Sequence, residues 1–181
     1  MGEPLSSEQS LIAEAAAGNM GAFAQLVNAH RLNVLRLAYG MVHSVDEAED
    51  IAQEVFVKVW KNLPTFRSQG SFQSWLYRIT VNTALDVLRR RQEEVPLEEQ
   101  AEAQGEDAPE EATLRQDRLA QVRQAIAELP PGARAVLILR EYEQLSYKEI
   151  AEILQIPLGT VMSRLNYARQ ALQKKLVSGQ L

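Results

Sequence analysis

The side chains most able to do chemistry here are cations and amides rather than nucleophiles or metal ligands. From Leu158 to the end of the chain stand four bases (Arg164, Arg169, Lys174 and Lys175) and no acid. At 100° per residue, Ser163, Asn166, Tyr167 and Gln170 share the face opposite Val161, Leu165, Ala168 and Leu172, with Met162, Arg164 and Arg169 on its flanks. Hydrogen-bonding side chains flanked by cations suit a polyanion whose edges can be read, that is, nucleic acid. A solvated amphipathic helix in a bundle is the plainer reading of the same pattern. The chain has no Cys, no Gly-rich phosphate loop and no Ser/His/Asp set at suggestive spacing. Its two histidines, His30 and His43, are isolated and are expected at the surface or on a helix flank, so neither a metal nor a cofactor is expected.

The elements that must position these groups are helices. Ser146 and Glu149 form a capping-box pattern opening a short helix, Tyr147–Leu154. A tight connection through Gln155, Ile156 and Pro157 leads into a long helix from Leu158 to about Leu176. Ala151 is small where two helices must cross, and Ile150, Leu154, Ile156, Val161 and Leu165 supply the apolar contact. This is a helix-turn-helix layout, whose second helix lies in the DNA major groove. The turn commonly carries Gly where this chain has Gln155.

Earlier in the chain, Ala48, Ile51, Ala52, Val55, Phe56, Val59, Trp60 and Leu63 follow helical spacing from Ser44, which pairs with Glu47 as a capping box, to Pro64, which stops the helix. A longer helix is expected over Phe23–Val42, a short one near Leu11–Ala17, and another from Phe72 to about Arg91 with Ser71 as cap. No segment alternates as a strand would, so the fold class is all-α.

The 181 residues, 46% of them hydrophobic, fit one domain or two small ones, and charge divides them. Residues 92–113 hold nine acids and no base, with Pro96, Gly105 and Pro109; without them 15 acids face 19 bases. Such a segment reads as a flexible acidic linker between domains at 1–91 and 114–181. Ser44–Glu54 carries five acids and no base, more than a helix N-terminus needs, and suggests a basic partner. Val57–Arg91 carries seven bases against Asp86, with Phe66, Phe72, Trp75 and Tyr77 nearby. Interleaved cations and rings suit unpaired bases, although Phe72 and Trp75, as aromatics at helical spacing, fit a core better than a base platform. No apolar run approaches the roughly 20 residues of a membrane span, and no secretory signal is visible, so the protein is expected in the cytoplasm without membrane insertion of its own.

Three stretches in order, SVDEAEDIAQEVFVKVWKNLPTFR, GSFQSWLYRITVNTALDVLRRR and LSYKEIAEILQIPLGTVMSRLNYARQAL, resemble the extracytoplasmic-function group of bacterial RNA polymerase sigma factors. The resemblance spans nearly the whole chain and implies two partners, bacterial core RNA polymerase and promoter DNA, both duplex and melted. Asp46, Glu47, Glu49, Asp50, Gln53 and Glu54 would dock on the basic coiled-coil clamp of the largest polymerase subunit. Phe66, Arg67, Ser71, Trp75, Tyr77, Arg78 and Asn82 would engage the minus-ten element and capture an extruded base, with Arg89, Arg90 and Arg91 on phosphates. In the second domain Met162, Ser163, Asn166 and Tyr167 would face base edges of the minus-thirty-five element. Pro157, Gly159 and Thr160 would lie at the helix N-terminus beside phosphate. Arg140, Tyr147 and Lys148 would touch the backbone, and Arg164 would flank. Some relatives carry Arg where this chain has Met162 and Tyr167, so its promoter element should differ from theirs or be read through shape. An anti-sigma factor is the implied regulator, and the acidic linker could mimic nucleic acid in a polymerase channel or serve as a plain tether. The alternatives are a stand-alone helix-turn-helix regulator binding duplex operators, a protein-binding scaffold and an enzyme. The first lacks a dimerisation heptad, the second leaves the basic terminal helix unexplained, and the third lacks a catalytic set.

Overall fold

The computed structural model describes residues 7–66, 71–94 and 113–178; every described element is helical. The helices are α1 (Ser7–Ala16), α2 (Met20–Val42), α3 (Val45–Asn62), α4 (Phe72–Glu94), α5 (Thr113–Ala127), α6 (Pro131–Glu141), α7 (Tyr147–Leu154) and α8 (Leu158–Ser178), with a 3-10 turn at Leu63–Thr65. Two compact units divide between Ala84 and Leu85, inside α4. The domain boundary expected after Arg91 falls further along the same helix. Arg67 and residues 95–112 of the expected 92–113 linker lie outside the described residues; residues 92–94 belong to the end of α4 and Thr113 to the start of α5.

In the first unit, α1 packs on α2 and α2 on α3. The chain turns from α1 into α2 through Gly18, at φ +95, a left-handed conformation that glycine adopts without a Cβ clash. Asn19 then caps α2, its side-chain oxygen accepting from the Ala22 N–H at 3.1 Å. The Ser44 hydroxyl accepts from Glu47 N–H at 3.3 Å, and α3 gives way to the 3-10 turn at Leu63-Pro64, as expected. Most of the predicted stripe of α3 is inside: Ala48, Ile51, Ala52, Val55, Val59 and Leu63 are buried, and Phe56 and Trp60 are half-buried. Leu26, Val34, Leu37, Ala38 and Met41 of α2 complete the core with Leu76, Tyr77 and Val81 of α4.

His30 is more enclosed than the surface or helix-flank position expected of it. It is 9% exposed, with Nε2 2.8 Å from Glu8 Oε1 and its ring 5.2 Å from that of Phe72. It joins α1 to α2 and abuts the start of α4; an imidazole can take a core position when one nitrogen finds a partner.

In the second unit, α8 packs on α5, α6 and α7. Two helices precede the expected pair. α6 starts with Pro131 at its first turn, where the missing N–H costs nothing. Every residue from Ala133 to Leu139 is buried, Arg134 included. The Arg134 guanidinium donates to the carbonyl oxygens of Ala127 and Leu129 (3.1 Å to the latter), satisfying the end of α5; burial lowers its pKa to about 10, which leaves it charged at neutral pH.

Candidate nucleic-acid and polymerase interfaces

In the second unit the helix-turn-helix is built as its residues dictate. Ser146 and Glu149 close a reciprocal capping box: the Ser146 N–H and hydroxyl donate to the Glu149 carboxylate at 2.8 and 2.6 Å, and Glu149 N–H donates back to the hydroxyl at 3.3 Å. These bonds hold the Glu149 carboxyl below its ordinary pKa. α7 ends at Gln155 in the left-handed region, φ 53 and ψ 43, its N–H bonded to Ala151 O. The sharp bend anticipated of a non-glycine residue is made. Of the residues expected at the crossing, Ile150, Val161 and Leu165 are buried and Leu154 and Ile156 half-buried. Ile153, outside the expected set, is buried, as is Ala168 of the expected α8 stripe, whose Leu172 is half-buried.

That burial fixes which face of α8 points outward. Met162, Ser163, Asn166 and Tyr167 are exposed, and so are Pro157, Gly159 and Lys148; Thr160, Tyr147 and Arg164 are half-buried. Ser163 hydroxyl donates to Thr160 O at 3.1 Å, leaving its lone pairs outward. Arg140 donates to Leu145 O at 2.7 Å, and its guanidinium lies 5.3 Å from the Tyr147 ring centroid. Arg164 is held against Gly132 of α6, where an added Cβ would sit 3.0 Å from its Nη1. Arg169 is paired with Glu141 at 2.8 Å, which raises its pKa, so its charge is locally compensated. Gly132 and Glu141 are partners that the sequence did not announce, because neither belongs to the motif they support.

In the first unit the two expected surfaces separate. On α3, Asp46, Glu49, Asp50 and Gln53 are exposed, and Glu47 and Glu54 half-buried, along the side opposite its buried stripe. Glu49 meets Arg31 at 3.4 Å and Glu54 meets Lys58 at 2.7 Å, both solvent-facing pairs of small energetic weight. Asp46 and Asp50 have no partner among the described residues. Lys58 also donates to Thr83 of α4 at 2.9 Å, so that base ties two helices together.

At the start of α4, Ser71 caps the helix by accepting from Ser74 N–H at 3.0 Å. Phe66, Phe72 and Trp75 form one ring cluster with centroids 4.8 to 5.8 Å apart. Phe72 is buried, while Phe66 and Trp75 are half-buried. Tyr77 departs from expectation: it is 0% exposed, and its hydroxyl accepts from Gln73 at 2.9 Å. A ring enclosed in the core cannot stack on a base, so Tyr77 supports the surface from below. Arg78 is half-buried and Asn82 exposed, as helical spacing from Trp75 requires. Beyond the division within α4, Arg89 is exposed and bonded to Asp86 at 2.9 Å, and Arg90 and Arg91 are exposed.

No helix among the described residues is long and apolar enough to cross a membrane. Two family patterns match the chain: Sigma-70 region 2 over residues 26–94 and Sigma-70, region 4 over residues 119–172. The chain is 39% identical to the RNA polymerase sigma-H factor of Pseudomonas aeruginosa over 180 residues, 93% of each chain. It is 36% identical to the ECF RNA polymerase sigma factor SigW of Bacillus subtilis, over 88% of this chain and 91% of that one. Among solved structures, CnrH in complex with the cytosolic domain of CnrY is similar at a TM-score of 0.72 and 27% identity, over 97% of this chain and 100% of that one. The sigma factor RpoE of Bartonella quintana, in complex with the anti-sigma factor NepR, is similar at 0.65 and 25% identity, over 85% and 96%.

Proposed function

The chain belongs to the Sigma-70 family, in its extracytoplasmic-function group of RNA polymerase sigma factors, and from that premise we propose how its surfaces divide the work of initiation. As a sigma factor it binds core RNA polymerase, recognises the minus-ten and minus-thirty-five promoter elements and promotes strand opening, under the control of an anti-sigma factor. Bond making belongs to the polymerase, and this chain contributes no catalytic group; it works in the cytoplasm, where the polymerase is.

The observation that carries the division of labour is the opposition of charge between α3 and α8. The outward face of α3 bears Asp46, Glu47, Glu49, Asp50 and Glu54, and takes the basic clamp of the polymerase. Salt screens such a contact only partly once the faces meet and exclude water, so the acids select a basic partner. The second unit puts its hydrogen-bonding side chains and cations outward on α7 and α8 and takes duplex DNA.

The start of α4 engages the minus-ten element. Unstacking a base costs a few kcal/mol, and ring faces at Phe66 and Trp75 with the amide of Asn82 can return that energy. Arg78, Arg89 and Arg90 hold phosphates, which fixes register without reading sequence.

Reversing charge on the acidic face tests the docking assignment. The double variant Asp50→Arg, Glu54→Arg should keep the helicity of the wild type and fail to co-elute with core polymerase. Co-elution at wild-type levels would remove the assignment of α3 as the docking face.

A further inference from the structure

We propose that Met162, flanked by Leu158, selects thymine in the minus-thirty-five element by packing on its 5-methyl group. The inference rests on reading α8 as the helix that enters the major groove, and it names the chemistry that the groove must present there.

α8 has already committed an apolar stripe to the core through Val161, Leu165 and Ala168. Met162 and Leu158 nevertheless stand 53% and 48% exposed. They are one turn apart (i, i+4), so they form a single apolar ridge along the first two turns, with Asn166 continuing the same line one turn further. N-terminal residues of a groove helix are the ones that reach base edges. α8 has no acid among its own side chains and carries Arg164, Arg169, Lys174 and Lys175, of which Arg169 is paired with Glu141 and Lys175 with Glu128; Lys148 is exposed on α7. That charge pattern fits DNA as the occupant.

Within the major groove, donors and acceptors dominate the edges, and the thymine methyl is the apolar group they leave. A thioether side chain has no strong donor and bends to fit, so it suits a methyl contact and offers little to a guanine edge. Asn166, next along the ridge, can make the bidentate contact to an adenine. The ridge therefore specifies an A·T-containing element in which a thymine methyl lies beneath Met162.

The test uses the full chain assembled with core polymerase. Duplexes randomised over the minus-thirty-five region are selected for binding, and each thymine of the enriched element is then replaced by deoxyuridine, which removes the methyl alone. At one thymine the wild type should lose about fourfold in affinity, the worth of burying one methyl group. Met162→Ala should bind thymine and deoxyuridine there equally, and Met162→Leu should keep the preference. Met162 is exposed, so equal thermal unfolding of the three chains is expected.

Indifference of the wild type to every deoxyuridine, or an unchanged preference in Met162→Ala, would overturn the proposal while leaving α8 as the groove helix. An element enriched without thymine would do the same. Failure to enrich any minus-thirty-five element would overturn the reading of α8 itself. Unchanged DNA selection with lost binding of an anti-sigma protein in Met162→Ala would assign the ridge to a protein contact instead.

Discussion

Gln155 turns the chain between α7 and α8 at φ 53, where an L-residue pays a steric cost that glycine does not. Gln155→Gly should therefore stabilise the second unit by about 0.5–1 kcal/mol, after allowing for the greater freedom of glycine in the unfolded chain. Urea unfolding of wild type and variant measures the gain; a loss would mean the Gln155 side chain contributes more than its backbone costs. Ser146 offers the opposite test. Ser146→Ala removes a cap and should cost about 1 kcal/mol. It should also change the acid limb of stability. The Glu149 carboxyl is held below its ordinary value of 4.5 by the Ser146 bonds. The unfolded state then binds more protons in that range, so the contribution is full above 4.5 and drains as pH falls through the lower folded value. The stability gap between wild type and Ser146→Ala should be widest above 4.5 and narrow as pH falls below it. At this scale the motif residues were legible because capping and turn chemistry act within a few positions. The roles of His30 and Tyr77 were not: their spacing allows either face of a helix, and only Glu8, Phe72 and Gln73, arriving from other turns and elements, decide it.

Among the elements, α7 and α8 offer a test of two kinds of DNA contact under the proposed reading. Asn166 is exposed on α8 and Lys148 on α7. Asn166→Ala should relax discrimination at one promoter position by about 1–3 kcal/mol, whereas Lys148→Ala should weaken all sequences alike and reduce the salt slope by about 1. Binding of holoenzyme to an ordered set of promoter variants over a range of salt distinguishes the two. A uniform loss from Asn166→Ala would turn that residue away from the bases. α3, α7 and α8 could be read from sequence because each has one buried stripe and one polar face. α5 and α6 could not. α6 is buried from Ala133 to Leu139, so its apolar run has no period to detect, and α5 mixes charges and small apolar residues beside the acidic segment. Gly132 shows the cost of missing them: its absent side chain makes room for the Arg164 guanidinium, a relation visible only when α6 and α8 are side by side.

For the whole molecule, charge was legible where geometry was not. A net charge of −5 hides a chain whose acids are gathered on α3 and in residues 92–113 while its last helix carries only bases. In the proposed division, one unit takes the polymerase through its acidic helix and melted DNA through the ring cluster, and the other takes duplex DNA. A chain of this kind raises the local concentration of each unit on its own promoter element once the other is bound. The most direct test of that account is transcription by core polymerase, with and without this chain, from a library of genomic fragments, with start sites mapped. The account predicts chain-dependent transcripts whose aligned starts share two upstream elements. It is contradicted by an absence of chain-dependent starts while the chain alone binds duplex DNA tightly.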